Sequence, residues 1–433
     1  MILHFDNSLR VFTKNIQSAL STPSQEVIIL RDLYGRLSCH LLMGDESEKM
    51  AHQIEEKLKA DEGRLGMYYS YPLVLTHKED DRLWQRMQSL AQPLPSSLPK
   101  EPRIKLIERL LEGKSWLSPT QSPFDPPPPY IITFYSFKGG VGRTTAAAMS
   151  ALKIAQQGHR VCMIDLDLEA PGLSNVTLSD VSPQTKDGIG VIDYLLERSL
   201  APDQEEFPLD NYLVRLSDEI IEKKEGELWL MPAGTVDENY LVKLGRLDFQ
   251  KMSAEDFSRS ALKQLFLALQ EHRKFDYYVV DSRTGITDIG GLALNGLAHL
   301  NVMLFNMGSQ NLQGMHFVLQ HLRPMLETQS KKSGKIASRL MLVFSFISLG
   351  WNKKRDEEIK NQLFQMADEV TREELSHLDK DIIPHDPIII PYLPSLPLQD
   401  NLEEIDYVQS KYNPAPYDQL AKGILDITSS LNK

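Results

Sequence analysis

The sequence predicts an α/β protein: a mostly parallel sheet with helices on both faces, preceded by a small α+β domain. Three observations carry that expectation. From about Tyr130 onward, short apolar runs alternate with helical runs, the pattern of parallel strands joined by helical crossovers. One such run, Tyr130-Ile131-Ile132-Thr133-Phe134-Tyr135, leads through a glycine-rich stretch into a small-residue helical stretch, Ala146 to Gln157. Two others, Val161 to Asp165 and Tyr277 to Asp281, are apolar strands that end in carboxylates.

In chain order, the first domain (1–117) opens with two strands, Val27–Leu30 and Leu37–Leu42, around a turn at Asp32-Leu33-Tyr34-Gly35. Glu46 to Ala60 reads as a helix with Met50, Ile54 and Leu58 on one face, and Tyr68 to Leu75 as a strand. Arg82 to Ala91 and Arg103 to Leu111 read as amphipathic helices. His4, His40, His52 and His77 lack metal-ligand spacing and read as structural or surface histidines, so this unit is expected to be an interaction or sensing module. Ser118 to Pro129 ends in four consecutive prolines, which favour a semi-rigid polyproline spacer (118–129).

In the second domain (130–433), the helix after the glycine stretch stops at Gly158, a natural position after a helix end. Gly188 to Glu197 reads as a helix and Asp203 to Glu227 as an acidic surface insertion. Ala261 to His272 is a helix that feeds the strand Tyr277–Asp281. Asn301–Asn306, Leu340–Phe346 and Ile388–Pro391 read as later strands, and Tyr417 to Lys433 as a helix that packs on the core.

With 433 residues, 42% hydrophobic and 24% charged, the chain reads as an ordinary globular protein of two or three domains. A net charge of −12 argues against a surface that binds nucleic acid throughout. The basic clusters Lys331, Lys332, Lys335, Arg339 and Lys353, Lys354, Arg355 read as solvated loops. Two distant cysteines, Cys39 and Cys162, make neither a metal pair nor a disulfide framework, and a reducing cytoplasm is expected. No run approaches the roughly 18 apolar residues of a membrane span, and no signal peptide is read at the N-terminus.

The chemistry concentrates in Lys138-Gly139-Gly140-Val141-Gly142-Arg143-Thr144-Thr145. Strand, glycine loop and helix N-terminus together favour a phosphate group: the glycines let consecutive N–H groups converge, and the helix dipole favours the anion. Arg143 adds charge-assisted donors, and the Thr144 hydroxyl suits Mg²⁺. The strict G-x-x-x-x-G-K-[ST] pattern fails twice, with Phe137 for the first glycine and Arg143 for the lysine.

Those residues resemble the deviant Walker A motif of the ParA/MinD/ArsA ATPases, in a subgroup that carries KGGVGR. The resemblance implies an ATP- and Mg²⁺-dependent ATPase that forms a nucleotide-dependent homodimer, with Lys138 reaching the phosphates of the partner's nucleotide. It implies nucleotide contacts from Lys138, Gly139, Gly140, Val141, Gly142, Arg143, Thr144 and Thr145, and a base-binding loop at Pro391 and Tyr392. By the same resemblance, Asp167 positions the attacking water, while Thr144, Asp165 and Asp281 belong to the metal shell. Arginine at 143, a planar fork where most relatives carry lysine, implies slow hydrolysis. Members of the subgroup often sit in bacterial signalling or conflict systems, so an unidentified protein partner is expected. Two alternatives stand beside the switch: a nucleotide sensor that barely hydrolyses, and a DNA-partitioning ATPase.

Overall fold

The computed structural model describes residues 4–20, 26–44, 47–95, 97–98, 101–110, 113–117, 129–177, 185–201, 207–216, 221, 225–248, 260–333, 338–349, 353–375, 383, 386–393, 401–412 and 414–431. The chain divides into two units, Met1–Leu111 and Glu112–Lys433. Residues 114–117, expected within the first domain, form a short helix, Lys114–Leu117, of the second unit. Its Trp116 is buried among Tyr135, Met303 and Phe305, and the indole donates to Thr287 O at 2.7 Å. The expected spacer at 118–128 lies outside the described residues.

The smaller unit is built on five strands: β1 (Val27–Arg31), β2 (Leu37–Leu42), β3 (Tyr69–His77), β4 (Gln92–Pro93) and β5 (Ile104–Glu108). Their order is β3-β2-β1-β5-β4, with β1/β2 and β4/β5 antiparallel and the other pairs parallel. Alternation explains the two faces. Val27 and Ile29 pack with Phe12 and Ile16 of the helix Phe5–Ala19 and with Met50, Ile54 and Leu58 of the helix Ser47–Ala60. Ile28 points the other way, to Trp84 and Met87 of the helix Arg82–Leu90.

Two readings change here. Within the stretch Arg103 to Leu111, expected as a helix, Ile104–Glu108 is strand β5, because β1 has an open edge whose amides β5 satisfies in parallel register. The helix Phe5–Ala19 was not expected at all. His40 and His77, distant in sequence, meet in a buried chain of hydrogen bonds. Ser38 Oγ lies 3.0 Å from His40 Nε2, His40 Nδ1 lies 2.9 Å from His77 Nε2, and His77 Nδ1 lies 3.0 Å from Asp81 Oδ2.

The larger unit is an eight-stranded sheet: β6 (Tyr130–Ser136), β7 (Arg160–Asp165), β8 (Val214–Arg215), β9 (Glu227–Met231), β10 (Tyr277–Asp281), β11 (Leu300–Phe305), β12 (Arg339–Ile347) and β13 (Ile388–Pro391). The order is β13-β12-β11-β6-β10-β7-β9-β8, and only the β8/β9 pair is antiparallel. Ile132 and Phe134 of β6, Val279 of β10 and Met163 of β7 face the helices Arg143–Ala155 and Pro416–Leu431. Ile131, Val280 and Ile164 face the helices Val191–Leu200 and Ala261–His272. The final helix buries Leu420 and Ile424, and Lys153 holds the end of the chain through Asp406 at 2.7 Å and Asp418 at 3.2 Å.

The acidic stretch Asp203 to Glu227, expected as a surface insertion, contributes to the core where it is described. Leu209, Tyr212, Leu213 and Val214 are buried, and β8 extends the sheet beside β9. Among the described residues, no helix is long and apolar enough to cross a membrane.

Chain order reverses at β6: the chain runs from β6 to β7 on one side, and later from β10 to β11 on the other. In open parallel sheets, the crevice at the carboxyl ends of strands at such a point is where ligands bind. The glycine loop leaves β6 at that end.

Candidate functional site

Ser136 ends β6, and the loop that follows turns on Gly140 and Gly142, at φ 75° and 73°. A Cβ on Gly142 would also lie 2.9 Å from the Phe346 ring, so glycine is required there twice over. The helix Arg143–Ala155 starts directly after it with no side chain capping its N-terminus. Uncapped first-turn amides and the positive end of the dipole make this end receptive to an anion.

Arg143 is buried and reaches sideways instead of outward. Its Nε donates to Asp281 Oδ1 at 2.5 Å and its Nη2 to Asp167 Oδ2 at 2.5 Å. Its Nη1 is buried without a partner. Thr144 Oγ1 donates to the other Asp281 oxygen at 2.6 Å. Burial pushes the Asp281 carboxyl up, and the Arg143 guanidinium and Thr144 hydroxyl oppose that rise.

Asp165 stands at the end of β7, fully buried, and its oxygens are committed to backbone. Oδ1 accepts from Asp167 N, and Oδ2 from Gly172 N and Leu173 N, each at 3.1 Å. It therefore shapes the loop that carries Asp167. Burial raises its carboxyl, and the neighbouring Asp281 charge adds to the rise.

The structure thus gathers Arg143, Thr144, Asp165, Asp167 and Asp281 at the carboxyl ends of β6, β7 and β10. Lys138 sits apart on the exposed face of the loop, its amine donating to Gln310 Oε1 at the start of the helix Ser309–Ser333. Pro391 closes β13, and Tyr392 follows half exposed, its ring 6.2 Å from that of Phe346. The basic clusters expected as solvated loops lie in regular elements instead: Lys331 and Lys332 end the helix Ser309–Ser333, Arg339 opens β12, and Lys353, Lys354 and Arg355 open the helix Lys353–Leu375, while Lys335 lies outside the described residues. Arg283 pairs with Glu169.

Sequence reasoning missed Gln310, which no motif marks, and did not place Phe346 against the glycine loop. A hint lay in Gly314: a Cβ there would fall 2.1 Å from Cγ of Phe137, so the helix that carries Gln310 packs directly on the loop.

The donor set suits a magnesium nucleotide. Hydroxyl and carboxylate oxygens stand side by side, as a hard cation requires, and the orphaned Arg143 Nη1 calls for an acceptor. Among the described residues, no group of three or more His, Cys, Asp or Glu side chains is placed to hold a metal unaided. Mg²⁺ is commonly held by one or two carboxylates together with phosphates, which agrees with so small a protein ligand set.

Fold and site together define a P-loop nucleotide-binding domain. The family model for the CobQ/CobB/MinD/ParA nucleotide-binding domain matches residues 132–391, more than half of the chain, and the chain belongs to that family. The MinD cell division protein of Aquifex aeolicus aligns with 69% of this chain and 97% of its own, at 20% identity and a TM-score of 0.44. The septum site-determining protein MinD of Pyrococcus horikoshii, complexed with Mg-ADP, aligns with 68% and 95%, at 18% identity and 0.41. Shorter likenesses join it to the iron–sulfur cluster carrier protein of Rickettsia conorii, 38% identical over 58 residues (13% of this chain, 18% of the relative). A cytosolic Fe-S cluster assembly factor, the NUBP2 homolog of Culex quinquefasciatus, is 43% identical over 44 residues (10% and 17%). The chain thus spans under a fifth of the length of the curated relatives it matches.

Proposed function

We propose that this chain is an ATP-driven dimerisation switch that controls a partner protein. The observation that carries the reading is Lys138. It stands exposed at the front of the glycine loop while the buried charge of the site comes from Arg143. Among the described residues it pairs with no carboxylate, and Gln310 alone holds it. A lysine so placed is free to serve the nucleotide of a second copy, and nucleotide would then favour the paired state over the single one.

Within each copy, the amides of Gly139 to Thr145 cradle the phosphates, Arg143 adds charge, and Pro391 and Tyr392 border the base. Thr144 and Asp281, with Asp165 behind them, would hold Mg²⁺, which would supply positive charge to the phosphates. Asp167 orients the attacking water once Arg143 turns from it to the phosphates. Solution mass by light scattering, with ADP and with a non-hydrolysable ATP analogue, tests the switch. A mass that doubles only with the analogue, and not in Lys138→Ala, is expected. Dimers undisturbed by Lys138→Ala sink the proposal.

One observation favours a second reading, a nucleotide sensor that barely turns over. Arg143 holds Asp167, the residue assigned to the water, at 2.5 Å. Arg143→Lys, with a shorter and weaker grip, should then raise turnover, and an unchanged rate counts against the sensor.

The first unit would carry the partner contact, since the residues assigned to the nucleotide all lie in the second. The cargo of the iron–sulfur relatives is not carried over, because both cysteines are buried. Two buried thiols also suit the reducing cytoplasm proposed for the chain.

A further inference from the structure

The chain leaves the first unit at Leu111, and residues 113–117 then seat on the segment that follows β10. Asp288 lies buried at the start of the helix Asp288–Leu292. Its Oδ2 accepts from Gly113 N at 3.0 Å, and its Oδ1 from Ser115 N at 3.0 Å and Ser115 Oγ at 2.9 Å. Trp116 Nε1 donates to Thr287 O at 2.7 Å, and Asn295 Nδ2, on the π-helical turn Ala293–Leu297, donates to Ser115 O at 3.3 Å. A Cβ on Gly291 would fall 2.3 Å from Ser115 Oγ, so glycine there lets the two segments close. Buried donors and a buried carboxylate match one another, and the loss of any one leaves a polar group unpaired.

The loop between Asp281 and Thr287 is held along its length. Asp281 accepts from Arg143 and Thr144, the Gly285 carbonyl accepts from Tyr135 Oη at 3.0 Å, and Thr287 is held by Trp116. The Trp116 ring also lies 6.1 Å from that of Tyr135, near the end of β6, and 6.2 Å from that of Phe317. Phe317 belongs to the helix whose Gln310 holds Lys138. One indole therefore adjoins the strand before the glycine loop, the loop after β10 and the helix that restrains Lys138.

We propose that residues 113–117 are a latch, with Trp116 as its positioning residue, which holds the loop from Ser282 to Thr287 in the arrangement that receives phosphates. Latch closure and nucleotide binding then favour each other, and by linkage each strengthens the other by the same factor. The state of the site is thereby passed to the stretch of chain that leads into the first unit. The proposal rests on the phosphate-loop reading above and adds how that site is coupled to the rest of the chain.

Hydrogen exchange of the full chain, with and without a non-hydrolysable ATP analogue, reads the latch at the amides of Gly113 and Ser115. Titration calorimetry with the same analogue reads the site. The analogue should slow exchange at those two amides roughly fivefold or more. Trp116→Phe, which keeps a ring but loses the N–H, should weaken the analogue by a like factor, as should Gly291→Ala, which wedges the segments apart. The amides of β6 should stay protected in both variants, and Trp116→Phe decides if Gly291→Ala unfolds them. Exchange at 113 and 115 that ignores a bound analogue overturns the proposal alone. So does an unchanged affinity in a variant whose latch exchanges faster, since the segment is then only a structural strap. If the natural protein does not bind the analogue, the phosphate-loop reading fails, and the proposal with it.

Discussion

Arg143 Nε and Asp281 Oδ1 lie 2.5 Å apart, both buried, so the helix after the glycine loop is clamped to the end of β10. Burial alone would lower the guanidinium, and the Asp281 and Asp167 carboxylates hold it charged. Removing one member of such a group leaves an uncompensated buried charge. Arg143→Ala should therefore cost about 3–5 kcal/mol in urea unfolding of the larger unit. A loss under about 1 kcal/mol would mean that the group is solvated and that the clamp contributes little.

Gln310 holds Lys138 in place within its own chain. Gln310→Ala should free the lysine and lower the ATP-analogue concentration needed for half-dimerisation by roughly two- to tenfold, the range of one net hydrogen bond. Light scattering across an analogue titration measures it. An unchanged or higher midpoint would show that this contact does not restrain the lysine.

Gly314 has the Phe137 ring where its Cβ would be, 2.1 Å from Cγ. Phe137 precedes Lys138 directly, so overpacking at 314 has to move the loop. Gly314→Ala should cost about 1–3 kcal/mol and weaken tripolyphosphate binding as well. Normal phosphate binding in a destabilised variant would disconnect this helix from the loop.

His40 supplies a pH test of the smaller unit. Burial, with the adjoining His77, pushes its imidazole down to about 4, below the unfolded value near 6.5. Between those values the unfolded chain binds more protons, so stability falls as pH drops through that window, by on the order of 2–3 kcal/mol. Hydrogen exchange of the amides of β1 and β2 between pH 7 and 4 measures this in the intact protein. His40→Gln, which cannot titrate, should flatten the profile, and an equally steep profile in that variant would assign the effect elsewhere.

How far the site was legible follows from where its information lies. Lys138 to Thr145, Asp165 and Asp281 are local patterns: an apolar strand, a glycine loop or terminal carboxylate, then a helix, each within one stretch of chain. Phe346 and Gln310 belong to no such pattern. They lie beside the loop because β12 bulges and because Gly314 lets its helix close on Phe137. The same limit explains β5. Arg103 to Leu111 carries a passable helical period, but the open edge of β1, more than seventy positions earlier, claims Ile104–Glu108 as a strand.

From sequence alone came the α/β class, the parallel order of apolar strands, and the residues around the phosphate loop. Those depend on interactions between near neighbours, where spacing and side-chain type suffice. The tertiary structure decided the rest: that Arg143 turns onto Asp167 and Asp281, that both oxygens of Asp165 are spent on backbone amides, that Lys138 rests on Gln310, and that Ser38, His40, His77 and Asp81 link into one chain. Buried polar groups must find partners, and which partner is within reach is settled only when distant strands and helices pack.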